Sequence, residues 1–532
     1  MSEQSRIPVM VGVTGHLNLR DGDTETLRAA VKRELGALRD RNPHTEIKLL
    51  CSLAAGADLL CAETAEEMGI PLIAALPRGR ESYEEDFSPA DLQRLKRQLD
   101  RAESVFTVVP MEAVPEEVTR DFGYRQAGIY VAEHCHILLA LWDGEEDRSG
   151  CGTAATVSFA LAGDWLPTRG EVTRTGDNTG VIHILAPRQG TEGGTAGKTT
   201  YLGNRPLIDE ILRKTEEFNA LAAECPDAGS GLLPEGSEKD AALERMERLY
   251  SAADSLSGRY AKVYRRTIAL LALAGTLLTL FFLIYDEGEM QAMVLLCGVT
   301  LLLAAWARRM AERSQCHRRY IEYRALAEAL RTQAYLRYAG SRMEVQRLMT
   351  WSQQRETGWV LCAVSGLNTA EPPGKAREIR DCWVEPQRRY HEAGGRKAGK
   401  RKASSERVVS CATWLSAVFY IAALLYELIW GGLIFRPAGG IGSLETGRTL
   451  LKVLLGTISA GTLFISSYYG KMSLGRKTED HEKLERFYAR AEERLEQWGQ
   501  SEILLEQLAR EELTENGNWC SYQKDNTPEI NA

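Results

Sequence analysis

Five glycines, Gly12, Gly15, Gly56, Gly150 and Gly152, fall in or beside polar turns that directly follow short apolar runs, with the hydroxyls of Thr14, Ser52 and Thr153 among them. A glycine at a strand–helix turn lets backbone N–H groups approach a phosphate at the N-terminus of the next helix. The chemistry this predicts is anion capture, with no metal-ligand spacing beside it. Asp58 or Asp143 is placed to accept a ribose hydroxyl, and His16 or Tyr83 to stack on or bond to a base. Any one of these turns could simply cap a helix. Their recurrence at successive strand ends points to a nucleotide-like ligand.

The elements that must position these groups are legible in the first third of the chain. Apolar runs at 9–13, 47–51, 72–76, 105–109, 137–142 and 181–186 predict strands, and amphipathic segments such as 24–39, 59–68 and 124–134 predict helices between them. Uninterrupted apolar strands separated by helices predict an α/β Rossmann-like fold, a doubly wound parallel sheet covered on both faces. Ligands of such sheets bind beyond the carboxyl ends of the strands. The loops 12–19, 52–58, 76–87 and 141–160 supply that rim. The stretch 187–204 contains Gly197-Lys198-Thr199, but a phosphate-binding P-loop needs glycine where this chain has Glu192. A carboxylate there would repel the phosphate. The segment 191–237 is read as a Gly/Thr-rich linker carrying a short helix at 207–223.

The second half differs in kind. Uncharged runs at 267–285 and 290–307, and further apolar stretches at 410–433 and 451–470, approach the roughly 20 residues needed to cross a bilayer. Arg265 and Arg266 precede the first, an acidic turn at 286–289 joins it to the second, and Arg308 and Arg309 close the hairpin. Basic feet mark the cytoplasmic side. The expectation is therefore an all-α module of four transmembrane helices with long cytoplasmic extensions, spanning 238–510, with both chain termini in the cytoplasm. The basic segment 395–407, lacking interleaved aromatics and standing just before a span, is expected to rest on anionic lipid. Glu427 is the one charge within 408–435, and an ionisable residue in a span is a functional candidate unless it marks the interfacial edge. The polar residues from 511 to 532 are expected to be disordered.

Composition sets limits on both halves. The 532 residues carry a formal net charge of -8, which argues against bulk nucleic-acid binding, and nucleic acid is not an expected partner. Eleven cysteines without a CxxC pair suit reduced thiols better than a disulfide framework. No positive n-region or apolar h-region opens the sequence, so no signal peptide is expected.

GVTGHLNL, SLAAGAD, LPRGRESYEEDF and YRQAGIYVAEHCHILLALWDG, with the GTA turn, together resemble the SLOG domain, over about residues 5–190. That domain belongs to the Rossmann-like superfamily that includes DprA and the LOG phosphoribohydrolases. Ser52-x-Ala54-x-Gly56-x-Asp58 is similar to the S-x-A-x-G-x-D turn of DprA, and Gly150-Cys151-Gly152-Thr153 to the G-x-G-T turn of LOG enzymes. Where LOG enzymes place a catalytic glutamate three residues later, this chain has Thr156, whose hydroxyl cannot replace a carboxylate as acid or base near neutral pH. Glu63, Glu133 and Asp143 are other carboxylates of the domain, none singled out by pattern. The resemblance with that departure implies sensing rather than cleavage, with no catalytic residue assigned.

YRALAEALR, WVEPQ and HEKLERFYARAEERLEQ resemble the SLATT membrane module, over about residues 240–510. Together the two families imply a homo-oligomeric receptor-effector of the inner membrane. It would bind a nucleotide, cyclic oligonucleotide or NAD-derived signal without a resident cofactor, and permeabilise the bilayer in anti-phage defence. The alternative is a membrane-tethered hydrolase of a nucleotide or NAD-like substrate.

Overall fold

A computed structural model describes residues 6–110, 119–145, 150–162, 179–190, 194–225, 231–234, 236–350, 358–368, 376–429, 441–471 and 474–525. Seven strands, β1 (Val9–Gly15), β2 (Ile47–Cys51), β3 (Leu72–Leu76), β4 (Ser104–Thr107), β5 (Ile137–Trp142), β6 (Gly180–Leu185) and β7 (Thr199–Leu202), form one sheet in the order β4-β3-β2-β1-β5-β6-β7. All pairings are parallel except the antiparallel β6–β7. Every residue of β2 and β3 is buried. Strands covered on both faces have no polar side to show, which is why they read as apolar runs. The helices α1 (Thr24–Arg41), α2 (Ala57–Glu67), α3 (Arg80–Glu84), α4 (Pro89–Arg101), α5 (Arg120–His134) and α6 (Thr153–Ala162) connect them. Ser88 caps α4 by accepting from the Asp91 N–H, and Thr119 caps α5 by accepting from that of Phe122.

β7 corrects the linker assignment. The Thr-rich residues 199–202 pair with β6 in the register Val181↔Leu202 to Ile184↔Thr199, and Leu19 bridges to Arg188. A four-residue, partly exposed edge strand carries too little apolar signal to stand out in a polar segment. α7 (Arg205–Ala223) follows, with Asn204 as its cap.

Contacts divide the chain into two compact units, unlike the sequential division expected from the sequence. The first comprises Met1–Leu256, Glu322–Glu378 and Glu502–Asn518, and the second Ser257–Ile321, Ile379–Ser501 and Trp519–Ala532. Three helices belong to both, the last helix of the chain and two earlier ones, α8 (Ala241–Glu287) and α10 (Cys316–Tyr338), with α9 (Met293–Ser314) between these two in sequence. Beyond the sheet, the first unit buries α12 (Gly358–Leu367) at all but one of its residues, after the short α11 (Val345–Leu348). Phe218 meets the rings of Tyr323 and Trp359 at 5.4 and 6.2 Å.

The second unit contains α13 (Glu385–Ile429), α14 (Ile441–Lys471) and α15 (Leu474–Trp498), and the last helix, α16 (Glu502–Asp525), crosses from the first unit. α16 corrects the expectation of a disordered tail from residue 511. Leu513 is buried, and the Glu512 carboxylate accepts from the Thr332 hydroxyl at 3.1 Å. Tertiary burial stabilises a helix that its polar sequence alone would not.

Among the described residues, four helices are long and apolar enough to cross a membrane, and no more than 6 % of any apolar window is buried in the protein. Three lie in α8, the α9–α10 stretch and α13, and the fourth lies within 445–466 of α14. Residues 430–433 of the expected third span lie outside the described residues. In the second unit, glycines set the approach of α8 to α14. A Cβ on Gly275 would stand 2.4 Å from the Phe464 ring, and one on Gly456 would stand 2.5 Å from a Leu283 methyl. Small residues permit such close crossings where lipid offers no hydrophobic driving force. Gly275→Leu is expected to destabilise this packing by about 1–3 kcal/mol. Thermal unfolding in detergent checks this, with Gly298→Leu, which meets nothing within 4 Å, as the neutral comparison.

Candidate functional site

The strand order reverses between β1 and β5, so the crevice beyond their carboxyl ends is the topological switch point of the sheet. Gly15 at the end of β1 pairs in register with Leu141 of β5, which brings the following residues, His16 and Asp143, side by side. The Asp143 N–H donates to His16 Nε2 at 3.1 Å, and Arg188 Nε donates to the same nitrogen at 3.3 Å. The same nitrogen lies 3.1 Å from Asp143 Oδ1, so Nε2 faces two donors and a carboxylate oxygen, and which it serves follows the tautomer. Arg188 Nε also lies 2.7 Å from Asp143 Oδ2, and the Glu145 N–H donates to Oδ1 at 3.0 Å. Burial pushes the Asp143 carboxyl up, but that N–H, His16 and Arg188 outweigh it and hold the acid below the usual range.

The N-terminus of α6 opens on the same end of the sheet. Gly150 takes φ 70°, and its carbonyl accepts from Arg125 Nη1 at 3.0 Å; the guanidinium lies 5.2 Å over the Phe159 ring. Thr153 is the buried first residue of α6, and the Gly152 carbonyl accepts from the Thr156 N–H and hydroxyl at 3.1 and 3.3 Å. Thr156 fills a helix crossing, since a Cβ on Gly128 of α5 would stand 2.5 Å from its Oγ1. Two other carboxylates of the domain, Glu63 and Glu133, are paired. Glu63 accepts from Arg94 Nε and Nη2 at 2.6 and 3.0 Å, and buried Glu133 accepts from Arg347 Nη2 at 2.8 Å.

Several residues expected at the rim instead build the scaffold. Gly12 lies inside β1, where a Cβ would stand 2.8–2.9 Å from Val131 of α5 and from Cys135 just after it, and buried Thr14 pairs with Ala140 in the same strand register. Gly15 allows Ala57 of α2 to close on the sheet, its own Cβ site being 2.3 Å from that of Ala57. Gly56 takes φ 79° against the carbonyls of His16 and Leu17, and the Ala57 N–H donates to the His16 carbonyl. The first turn of α2 is thus spent on its own neighbours rather than held out to a phosphate. Asp58 is buried, accepts from the Ala54 N–H at 3.3 Å and has its carboxyl pushed up to about 7 by burial. It braces a turn in which Leu53 adopts φ 58°. Tyr83 is fully buried against Phe87 and Tyr124, with its hydroxyl donating to the Ser52 carbonyl at 3.1 Å, so its ring faces the core and not a base.

Arg188 and Arg125 carry no sequence signal that singles them out. Arg188 sits in the PRQG stretch beyond β6, and the Leu19 bridge, with the Gln189 N–H donating to the Asn18 carbonyl, brings it beside the residues that follow β1. The same holds for Asp86, whose carboxylate gathers Arg78, Arg120 at 2.8 Å and the Tyr124 hydroxyl at 2.8 Å after β3.

In the second unit Glu427 is paired. Its two oxygens accept from Arg448 Nε and Nη2 at 2.5 and 2.6 Å, a two-pronged pair between α13 and α14. Lys452, one turn further along α14, bonds Glu287 of α8 at 2.8 and 3.1 Å. Arg448 and Lys452 therefore tie α14 to the ends of two neighbouring helices.

Comparison with protein-family models returns no match for this chain, and no curated protein matches it significantly.

Proposed function

We propose that this chain is a membrane-embedded receptor-effector of the SLOG–SLATT type. A nucleotide-derived anion would bind at the β1/β5 crevice and shift the apolar helices of an oligomer toward a state that permeabilises the inner membrane. The observation that carries this reading is the meeting of His16, Asp143 and Arg188 beside the α6 N-terminus, in a polypeptide with four lipid-length helices. A phosphate entering there competes with Asp143 for Arg188, and the 143–145 loop responds to occupancy. Moving an assembly from rarely to mostly open requires the ligand to prefer the open state by about 5.5 kcal/mol, a preference that several subunits share. The basic feet of the hairpin support a cytoplasmic location for both termini. The packed position of Thr156 and the pairing of Glu63 and Glu133 favour sensing over hydrolysis.

The test incubates the full chain, purified in detergent, with NAD, nucleoside monophosphates and cyclic oligonucleotides. Binding without turnover is expected for one class, and the same compound should release dye from liposomes that hold the protein. Losing one charge-assisted contact costs roughly 1.5–3 kcal/mol, so Arg188→Ala should weaken binding roughly 10- to 100-fold. Steady product release would transfer the chain to the hydrolases, and binding unaffected by Arg188→Ala would remove the crevice from the reading.

A further inference from the structure

Within the second unit, at the foot of the first apolar hairpin, α8, the end of α9 and the start of α10 enclose a cavity of about 310 Å³. That is the lower end of the size range of ligand sites, roughly 300–1,000 Å³. Gln315, at φ 50°, ends α9 and turns the chain into α10. Ile268, Leu271 and Ala311 make the apolar wall, and Arg308 and Arg318 stand among the lining residues. Arg308 pairs with Glu312 at 2.9 Å, and Arg318 Nε donates to the Gln315 side chain at 2.9 Å.

The same lining contains an aromatic pair, Tyr264 and His317, with ring centroids 4.4 Å apart and planes 24° from parallel. Burial pulls the His317 imidazole below its usual range, which keeps it neutral at pH 7. Its Nε2 has almost no exposure and, among the described residues, no hydrogen-bond partner. A buried polar atom left in this way costs about 1–3 kcal/mol, a cost that a bound oxygen would relieve.

The height of the cavity along the helices selects the ligand. Its lining begins at Tyr264 and Thr267, on either side of Arg265 and Arg266, and includes Arg308, where the second apolar run stops. Apolar side chains and arginines in one lining, at the foot of an apolar hairpin, suit a molecule with an acyl chain and a phosphate.

We propose that this cavity holds the headgroup of one anionic phospholipid, with its phosphate between Arg308 and Arg318, an oxygen accepting from the Nε2–H tautomer of His317, and its acyl chain against Ile268 and Leu271. The proposal rests on the membrane-spanning reading, because only then do the basic feet of the hairpin lie at headgroup level.

The full chain is reconstituted in nanodiscs of phosphatidylcholine with a minor fraction of phosphatidylglycerol, then released into mild detergent, and retained lipid is counted by native mass spectrometry. The wild type is expected to keep phosphatidylglycerol in preference to phosphatidylcholine, and inorganic phosphate should not displace it. The double variant Arg308→Gln, Arg318→Gln should lose that preference at least tenfold. Ala311→Phe, which fills the cavity and leaves every charge in place, should lose it too. Equal retention of the two lipids, displacement by phosphate alone, or unchanged selectivity in both variants would overturn the site. A carbonate wash of the same preparations separates the two ideas. Protein that stays in the pellet without selective lipid leaves the membrane reading standing and ends this proposal, whereas protein in the supernatant ends both.

Discussion

Replacing His134 by leucine is expected to cost the first unit about 3–5 kcal/mol, the usual consequence of removing one partner from a buried ion pair. His134 is essentially unexposed, and its two ring nitrogens both face acceptors: Nδ1 the Tyr130 carbonyl at 2.8 Å, Nε2 a Glu344 oxygen at 2.9 Å. Both nitrogens must therefore donate, which defines an imidazolium. Burial pulls this histidine down, but Glu344 and Glu133 outweigh it and raise the ring above its ordinary range. Burial also pushes Glu344 up, yet His134 and Arg347 prevail and bring it to about 2. The leucine variant leaves the Glu344 carboxylate with Arg347, Gln346 and Asn368 only.

The pH dependence has two limbs. A histidine whose folded value is raised contributes fully below about 6.5 and loses its contribution as pH rises through the folded value. A glutamate whose folded value is depressed contributes above about 4.3 and loses its contribution as pH falls toward 2. The wild type is thus expected to be most stable between these limits, with stability falling on both sides. His134→Leu should lower the melting temperature at pH 6 by about 6–20 °C and abolish the alkaline limb. Thermal unfolding of the full chain in detergent at successive pH values reads both effects. A variant that melts like the wild type at pH 6 would show that the pair adds nothing.

Gly56→Ala should be nearly as damaging, by a different cause. The added Cβ would stand 2.2 Å from the Leu17 carbonyl oxygen and 2.5 Å from that of His16, both backbone atoms that no rotamer change can move. The φ of 79° is a second obstacle for an L side chain. Backbone strain and overpacking each contribute about 1–3 kcal/mol, so a loss of roughly 2–6 kcal/mol is expected. Because the atoms displaced are the backbone of His16 and Leu17, ligand binding should fall with stability. Arg188→Ala should weaken binding while the melting temperature holds. Gly22→Ala, which meets nothing within 4 Å, should change neither. Separate melting and binding measurements on these three variants distinguish a scaffold glycine from a ligand contact. A Gly56→Ala protein of wild-type stability would show that the turn yields.

Some features are legible in the sequence because they are local. The sheet strands are short apolar runs since both faces are covered, and β2, β3 and β5 begin and end where those runs do. The apolar helices announce themselves by length and absence of charge, and α8 runs unbroken through its first span for lack of a proline. Four-residue β7 and the polar turns of α16 carry no such local signal, and their order comes from what they pack against.

The amino-acid sequence by itself determined the parallel sheet, the helices apolar enough to cross a membrane and the strand ends at which the polar turns gather. Tertiary structure alone decided what the individual residues at those ends do. Glycine is demanded equally by a phosphate and by a close helix, and only the neighbouring atoms show that Gly12, Gly15 and Gly56 answer to α5, α2 and the 16–17 backbone. Arg188, far from His16 in sequence, meets it because β6 and a bridge to Leu19 carry it across the sheet. Local pattern records which solvent or partner surface a residue prefers; which partner it meets is set by long-range pairing, and that is a property of the folded chain.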